Sequence, residues 1–211
     1  MQLYFSPLAC SMASRIALYE ADAAAEFIEV DPKTKRTLDG KDFLTVNPLG
    51  LVPAIRTGDG EVLTENAAVL QYIAGCFPEA GLAPLGGMAR SRLHQWLCFI
   101  GTELHKGLFI PLFDPKMPGE EKARILAKGD NRLAYLDQYL SGREFLLDRF
   151  SVADAYLVTV LNWKIATPVD LAKWPAVQAY YHRLTQRDSI ARALTDEHAL
   201  YVAEMARHKA V

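Results

Sequence analysis

The chain of 211 residues is poor in cysteine, with only Cys10, Cys76 and Cys98. These form no CxxC pair and no even set, so a disulfide framework is excluded and a reducing compartment is expected. No uninterrupted apolar run approaches the roughly 18 residues of a membrane span. The opening MQLYFSPLAC has no basic stretch before an apolar one, so no secretory signal is expected. Excess charge is missing as well. Lys and Arg number 23 against 25 Asp and Glu, with a net charge of -2 and a pI near 6.2. Without a broad positive field, nucleic acid is not an expected partner. None of the five histidines clusters with cysteines or carboxylates, so metal catalysis has no support. What remains is ordinary globular usage, 51% hydrophobic and 23% charged. A chain of this size buries roughly 70% of its unfolded surface and holds a core without metal or cross-link. A cytoplasmic protein, with no membrane partner, is expected.

The two halves follow different patterns. Gln2 to Phe5 and Phe27 to Val30 read as strands around a helix over 11–23, with Ser11 placed to cap it. Ala54–Thr57 and Glu61–Thr64 flank Gly58-Asp59-Gly60, a hairpin signal. A helix then runs from about Glu65 towards Phe77 and stops before Pro78. The order β-α-β, loop, β-β-α is the thioredoxin-like arrangement. Proline and glycine crowd residues 78–87 (PEAGLAPLGG) and mark a linker. Beyond it only helical periodicity appears, through Leu93, Trp96, Leu97, Ile100, Leu104 and Leu108, and again from Ile125 to Leu140. Ser151 and Asp154 form a capping-box analogue, and Trp174-Pro175 opens a further helix. The expected fold is an α/β thioredoxin-like domain over 1–80, a linker over 81–87 and an all-helical domain over 88–211.

Four features carry chemistry. Cys10 follows a strand and a proline loop at a helix start, where unpaired N–H groups favour thiolate. The fourth position of a CxxC is Ala13, so no resolving cysteine stands nearby. The alternative, a small buried apolar residue, stays open for Cys10 and is preferred for Cys76 and Cys98, which lie in apolar helical patterns. Val52-Pro53 precedes a strand; a cis bond there would offer the Val52 backbone to an extended ligand, and an ordinary trans proline is the alternative. Thr64-Glu65-Asn66 sits at a strand-to-helix junction suited to a carboxylate and an ammonium, or to plain capping. His105 lies on a mixed helical face with Cys98, Thr102 and Phe109, a position more often packed or solvated than catalytic.

Together these residues resemble a glutathione S-transferase of the bacterial beta class over nearly the whole chain. The carriers are SPLACSMASRIAL (6–18), VNPLGLVPAI (46–55), LTENAAVLQYI (63–73), TELHKG (102–107) and SVADAYL (151–157), in family order. The resemblance implies that Cys10 lies beside the glutathione sulfur and that Ser11 donates a hydroxyl hydrogen bond. It implies that Lys35 holds the glycyl carboxylate. Val52 then pairs with the cysteinyl unit ahead of cis Pro53, while Glu65 and Asn66 clamp the γ-glutamyl end. His105 and Lys106 reach glutathione from the helical domain, and Glu103 approaches it from a partner subunit, which implies a homodimer. Phe109, Phe113 and Trp163 are candidates to line an apolar electrophile pocket, though aromatics at helical spacing are more often core.

Three positions depart from the family pattern. Phe5 replaces a common tyrosine, Asn66 a serine or glycine, and Cys98 a glutathione-binding asparagine. The first points to Cys10 or His105 as activator, and the last removes one polar contact. The expected function is conjugation of the glutathione thiolate to small hydrophobic electrophiles, a detoxifying transfer with glutathione as co-substrate and no metal. Thiol–disulfide exchange or peroxide reduction at Cys10 is a further expectation. A non-enzymatic carrier or regulatory protein on the same fold is the alternative.

Overall fold

The computed structural model describes residues 1–209. They fall into two compact units: Met1–Leu82 together with the chain from Asp188 onward, and Ala83–Arg187. The chain first crosses from one unit to the other between Leu82 and Ala83. The C-terminal helix, expected in the helical domain, belongs instead to the first unit. Its Ile190, Ala193 and Glu197 are buried, and it packs on the first helix of the chain.

The first unit is built on a four-stranded sheet of order β2-β1-β3-β4. The strands are β1 (Gln2–Phe5), β2 (Glu26–Glu29), β3 (Ala54–Arg56) and β4 (Val62–Thr64). β1 pairs parallel with β2 and antiparallel with β3, which places Leu3 between Phe27 and Ile55. β3 and β4 form the expected hairpin, closed where Thr57 N–H donates to Glu61 O at 2.9 Å. Helices α1 (Met12–Glu20) and α2 (Asn66–Cys76) pack on each other. Alternation along β1 sends Tyr4 the other way from Leu3 and Phe5, into a cluster with Val30, Phe43 and Ala54. Val52 packs against this cluster, so a core contact positions the residue ahead of Pro53.

The second unit is helical. α3 (Gly87–Phe99) passes without a break into a π-helical stretch, Ile100–Phe109, and a short α4 (Ile110–Leu112). The periodicity predicts one long α-helix here; the chain instead widens to i→i+5 bonding over ten residues. α5 (Gly119–Leu140) packs against that stretch, and Gly129 makes the approach possible: a Cβ there would stand 2.4 Å from Leu108 Cδ1. α6 (Val152–Asn162) is buried on all sides, as its apolar composition requires. The expected capping box opens it, with Ser151 N–H donating to Asp154 Oδ2 at 2.9 Å. Asp154 also accepts from Leu146 N–H and from the Tyr180 hydroxyl of α7 (Pro175–Thr185). The last helix, α8 (Asp188–Lys209), returns to the first unit.

Candidate functional site

In the first unit the thiol sits on a loop held by several anchors. After β1 the chain turns through Pro7 and left-handed Leu8 (φ 58°), with Ala9 N–H donating to Ser6 O at 3.1 Å. The Ser6 hydroxyl donates to Val30 O at 2.7 Å and ties the loop to the end of β2. Ser11 stands at the expected cap position, yet its hydroxyl bonds no helix N–H. It donates to Ser6 O and accepts from Ser6 N–H, both at 3.3 Å, and is fully buried. Cys10 is half-buried two residues before α1, and its Sγ–H donates to Val52 O at 3.3 Å. The thiol therefore meets the backbone at Val52-Pro53, whose peptide bond is cis, as the resemblance implies.

The approach to Val52 is fixed by buried Asn47, which sequence reasoning misses. Its Nδ2 donates to Leu51 O at 2.8 Å and its Oδ1 accepts from Leu49 N–H at 3.1 Å. The Asn-Pro dipeptide is the available signal, because asparagine side chains commonly bond the backbone two residues on. Lys35, left-handed at φ 57°, lies against the same loop. A Cβ at Gly50 would stand 3.1 Å from Lys35 Cδ, so glycine leaves room for the lysine stem.

At the start of α2, exposed Glu65 has φ 66° and its carbonyl accepts from Ala68 N–H and Val69 N–H. Asn66 is buried; its Oδ1 accepts from the Ser14 hydroxyl at 3.4 Å, and its Nδ2 is left without a partner. A buried donor left unmet costs about 1–3 kcal/mol. Beside a helix N-terminus, such a donor suits an anionic acceptor such as a carboxylate.

A buried ion pair backs the thiol loop. Glu197 of α8 accepts from Leu8 N–H at 2.7 Å and from Arg15 Nε at 2.8 Å. The Arg15 guanidinium lies between the rings of Phe5 and Phe27, 4.4 and 4.1 Å from their centroids. Burial pushes the Glu197 carboxyl up to about 7, against the pull of Arg15. No local pattern signals a contact that spans 189 residues of sequence.

In the second unit, His105 is buried in the π-helical stretch, and its Nδ1 lies 2.6 Å from the Tyr156 hydroxyl. Burial, with Lys106 beside it, holds its pKa down to about 4, so the ring is neutral at neutral pH. Two aromatics singled out in the sequence, Phe109 and Phe113, join it around the third, Trp163. His105 lies 4.9 Å from the Trp163 ring, Phe113 5.6 Å and Phe109 6.0 Å. Phe109 is fully buried, whereas Phe113 is 38% exposed and offers an apolar face. Lys106 is exposed, and Glu103 forms an ion pair with Arg132 of α5 at 2.9 Å. Cys76 and Cys98 are both exposed, contrary to the expectation of buried apolar residues. Cys76 ends α2, and Cys98 lies on the outer side of α3 next to buried Leu97. Among the described residues, no group of three or more His, Cys, Asp or Glu is arranged to hold a metal.

Comparison with known proteins gives a consistent picture. Residues 1–75 match the family model of the glutathione S-transferase N-terminal domain, and residues 102–188 that of the C-terminal domain. Glutathione S-transferase GstA of Escherichia coli O157:H7 is 39% identical over 199 residues, covering 93% of this chain and 98% of the relative. The structure of a sphingomonad glutathione S-transferase complexed with glutathione superposes with a TM-score of 0.89 at 46% identity, covering 93% and 98%. A bacterial beta class glutathione S-transferase from Sphingomonas chungbukensis does so at 0.88 and 44%, with the same coverage.

Proposed function

Because the chain belongs to the glutathione S-transferase family, we propose that its first unit binds glutathione along Cys10, Val52-Pro53, Lys35 and Glu65-Asn66. It is a glutathione S-transferase of the beta class, an enzyme, and the carrier reading is set aside with that. Names of relatives speak for transfer; they lend no support to peroxide reduction or disulfide exchange, which are not carried forward.

The observation that carries the binding reading is the Cys10 Sγ contact to Val52 O, at 3.3 Å. A peptide pairing with the Val52 backbone sets its cysteinyl sulfur beside the Cys10 thiol. Lys35 supplies a cation for the glycyl carboxylate. Asn66 Nδ2 supplies its unmet donor to the γ-glutamyl carboxylate, and Glu65 faces the ammonium. Ser11 shapes the loop from within. In the reaction the glutathione thiol gives up its proton to solvent, and the thiolate pair forms the new carbon–sulfur bond. The electrophile's leaving group departs with its own bonding pair. His105, as a neutral imidazole, contributes hydrogen bonding rather than charge, and Lys106 a cation. Phe113 and Trp163 supply apolar surface for the electrophile, with Phe109 behind them as core.

A homodimer completes the proposal. Leu49 and Leu51 are 69% and 51% exposed on the loop leading to Pro53, apolar surface that a second copy would cover. Glu103 would then serve the partner's glutathione while held by Arg132. A cytoplasmic, detoxifying role fits exposed Cys76 and Cys98, which persist as thiols in a reducing compartment. No described helix is long and apolar enough to cross a membrane. Calorimetric titration with reduced glutathione tests the core of this reading. Saturable heat near one ligand per subunit is expected, and an absence of saturable binding overturns it.

A further inference from the structure

We propose that His208, in the last turn of α8, is a positioning residue for glutathione binding, acting through Asp31 on the turn that presents Lys35. The inference rests on Lys35 as the holder of the glycyl carboxylate. Asp31 is the pivot because its two carboxylate oxygens serve different elements. Oδ1 accepts from Lys33 N–H at 2.8 Å and from Thr34 N–H at 3.0 Å, which closes the turn after β2. Oδ2 lies 2.7 Å from His208 Nε2, with both side chains less than one-fifth exposed. The turn continues directly to Lys35, whose N–H donates to Asp31 O at 3.0 Å. Lys35 itself is left-handed, a conformation that a lysine holds only when its surroundings impose it.

The neighbourhood makes the contact specific. Arg207 forms an ion pair with buried Glu29 at the end of β2, so adjacent residues of one helical turn clasp both ends of Glu29–Asp31. Glu204, one turn earlier on α8, is nearly fully buried and faces the same charges. Against its partial burial, Asp31 is held down to about 2 by the Thr34 N–H, His208 and the Lys33 N–H. The carboxylate is thus ionised at neutral pH, and His208 is the side chain that holds its outer oxygen. Without His208, Oδ2 turns to water, the Asp31 rotamer loosens, and the turn loses its fixed geometry at Lys35. A lysine that samples several positions binds a carboxylate less well, while the chemistry at the sulfur is untouched.

The test is steady-state kinetics with glutathione and a chlorodinitrobenzene electrophile, on the full chain, for His208→Ala, His208→Gln, Lys35→Ala and the double variant. His208→Ala is expected to raise the glutathione KM about threefold to tenfold, less than the full worth of a charge-assisted hydrogen bond because the effect reaches Lys35 indirectly, with kcat unchanged. His208→Gln, which keeps a donor for Asp31, should recover most of that loss. In the Lys35→Ala background His208→Ala should add nothing. Thermal melts accompany each variant, since a purely structural role would lower Tm without this split or rescue. If Lys35→Ala raises KM and His208→Ala does not, His208 has no such role and the Lys35 reading stands. If Lys35→Ala itself leaves KM unchanged, the Lys35 reading fails and carries this proposal with it. Equal effects of His208→Ala in both backgrounds place its action elsewhere and overturn the inference.

Discussion

The thiol loop of the first unit and the His105 cluster of the second are built from different materials. Around Cys10 the contacts are mostly to backbone: Val52 O, Ser6 O and N, Val30 O, Leu8 N. Around His105 they run between side chains, with Tyr156, Trp163, Phe109 and Phe113. A peptide-like ligand is recognised by backbone geometry, which few substitutions disturb. An apolar electrophile is recognised by side-chain shape, which any substitution alters. One region therefore suits an invariant co-substrate and the other a changing one.

This contrast can be broken most forcefully through the ion pair behind the thiol loop. Glu197→Ala leaves Arg15 buried without its carboxylate and Leu8 N–H without that acceptor. It should cost about 3–5 kcal/mol in denaturant unfolding. The helical side offers a test by pH. The folded pKa of His105, about 4, lies below its ordinary 6.5, so the unfolded chain takes up the proton first. The stability this confers is present above about pH 6.5 and lost as pH falls through about 4, of order 3 kcal/mol in all. His105→Gln should flatten that acid limb in melts followed by circular dichroism. A smaller effect is expected at Asn66: alanine there should raise the glutathione KM about tenfold, the worth of one hydrogen bond to a charged group. Phe113→Ala should raise the KM of the electrophile only about threefold and leave that of glutathione unchanged. Equal shifts for both substrates at Asn66 or at Phe113 would dissolve the distinction between the two regions.

The same contrast explains what is legible in the sequence. Strand alternation, the Gly58-Asp59-Gly60 turn and the Ser151/Asp154 box are local signals, and the structure realises each of them. Cys10 beside Val52-Pro53 is readable because both sit at ends of short elements whose order is fixed by topology. Ser11 differs in one respect: position identifies the cap, but a hydroxyl has several backbone groups in reach, and Ser6 wins over the helix. Glu197 has no local mark at all, since it is one carboxylate among many on the polar-looking helix 188–209. His105 reads differently on a template of 3.6 residues per turn, because the chain leaves that template at Ile100.

That departure makes the stretch a ruler of chain length. Ten residues from Ile100 to Phe109 hold together with one extra residue in each hydrogen-bonded ring, and the α-helix of the same length is always one deletion away. Deleting a single residue between Gly101 and Leu104 would change how the stretch winds, and with it the directions in which the side chains downstream point. Leu108 would leave the notch opposite Gly129, and Phe109 and Phe113 would swing off Trp163. Tolerance to substitution and tolerance to indels are thus opposite in this segment: side chains on the electrophile wall are free to vary, but their count is not.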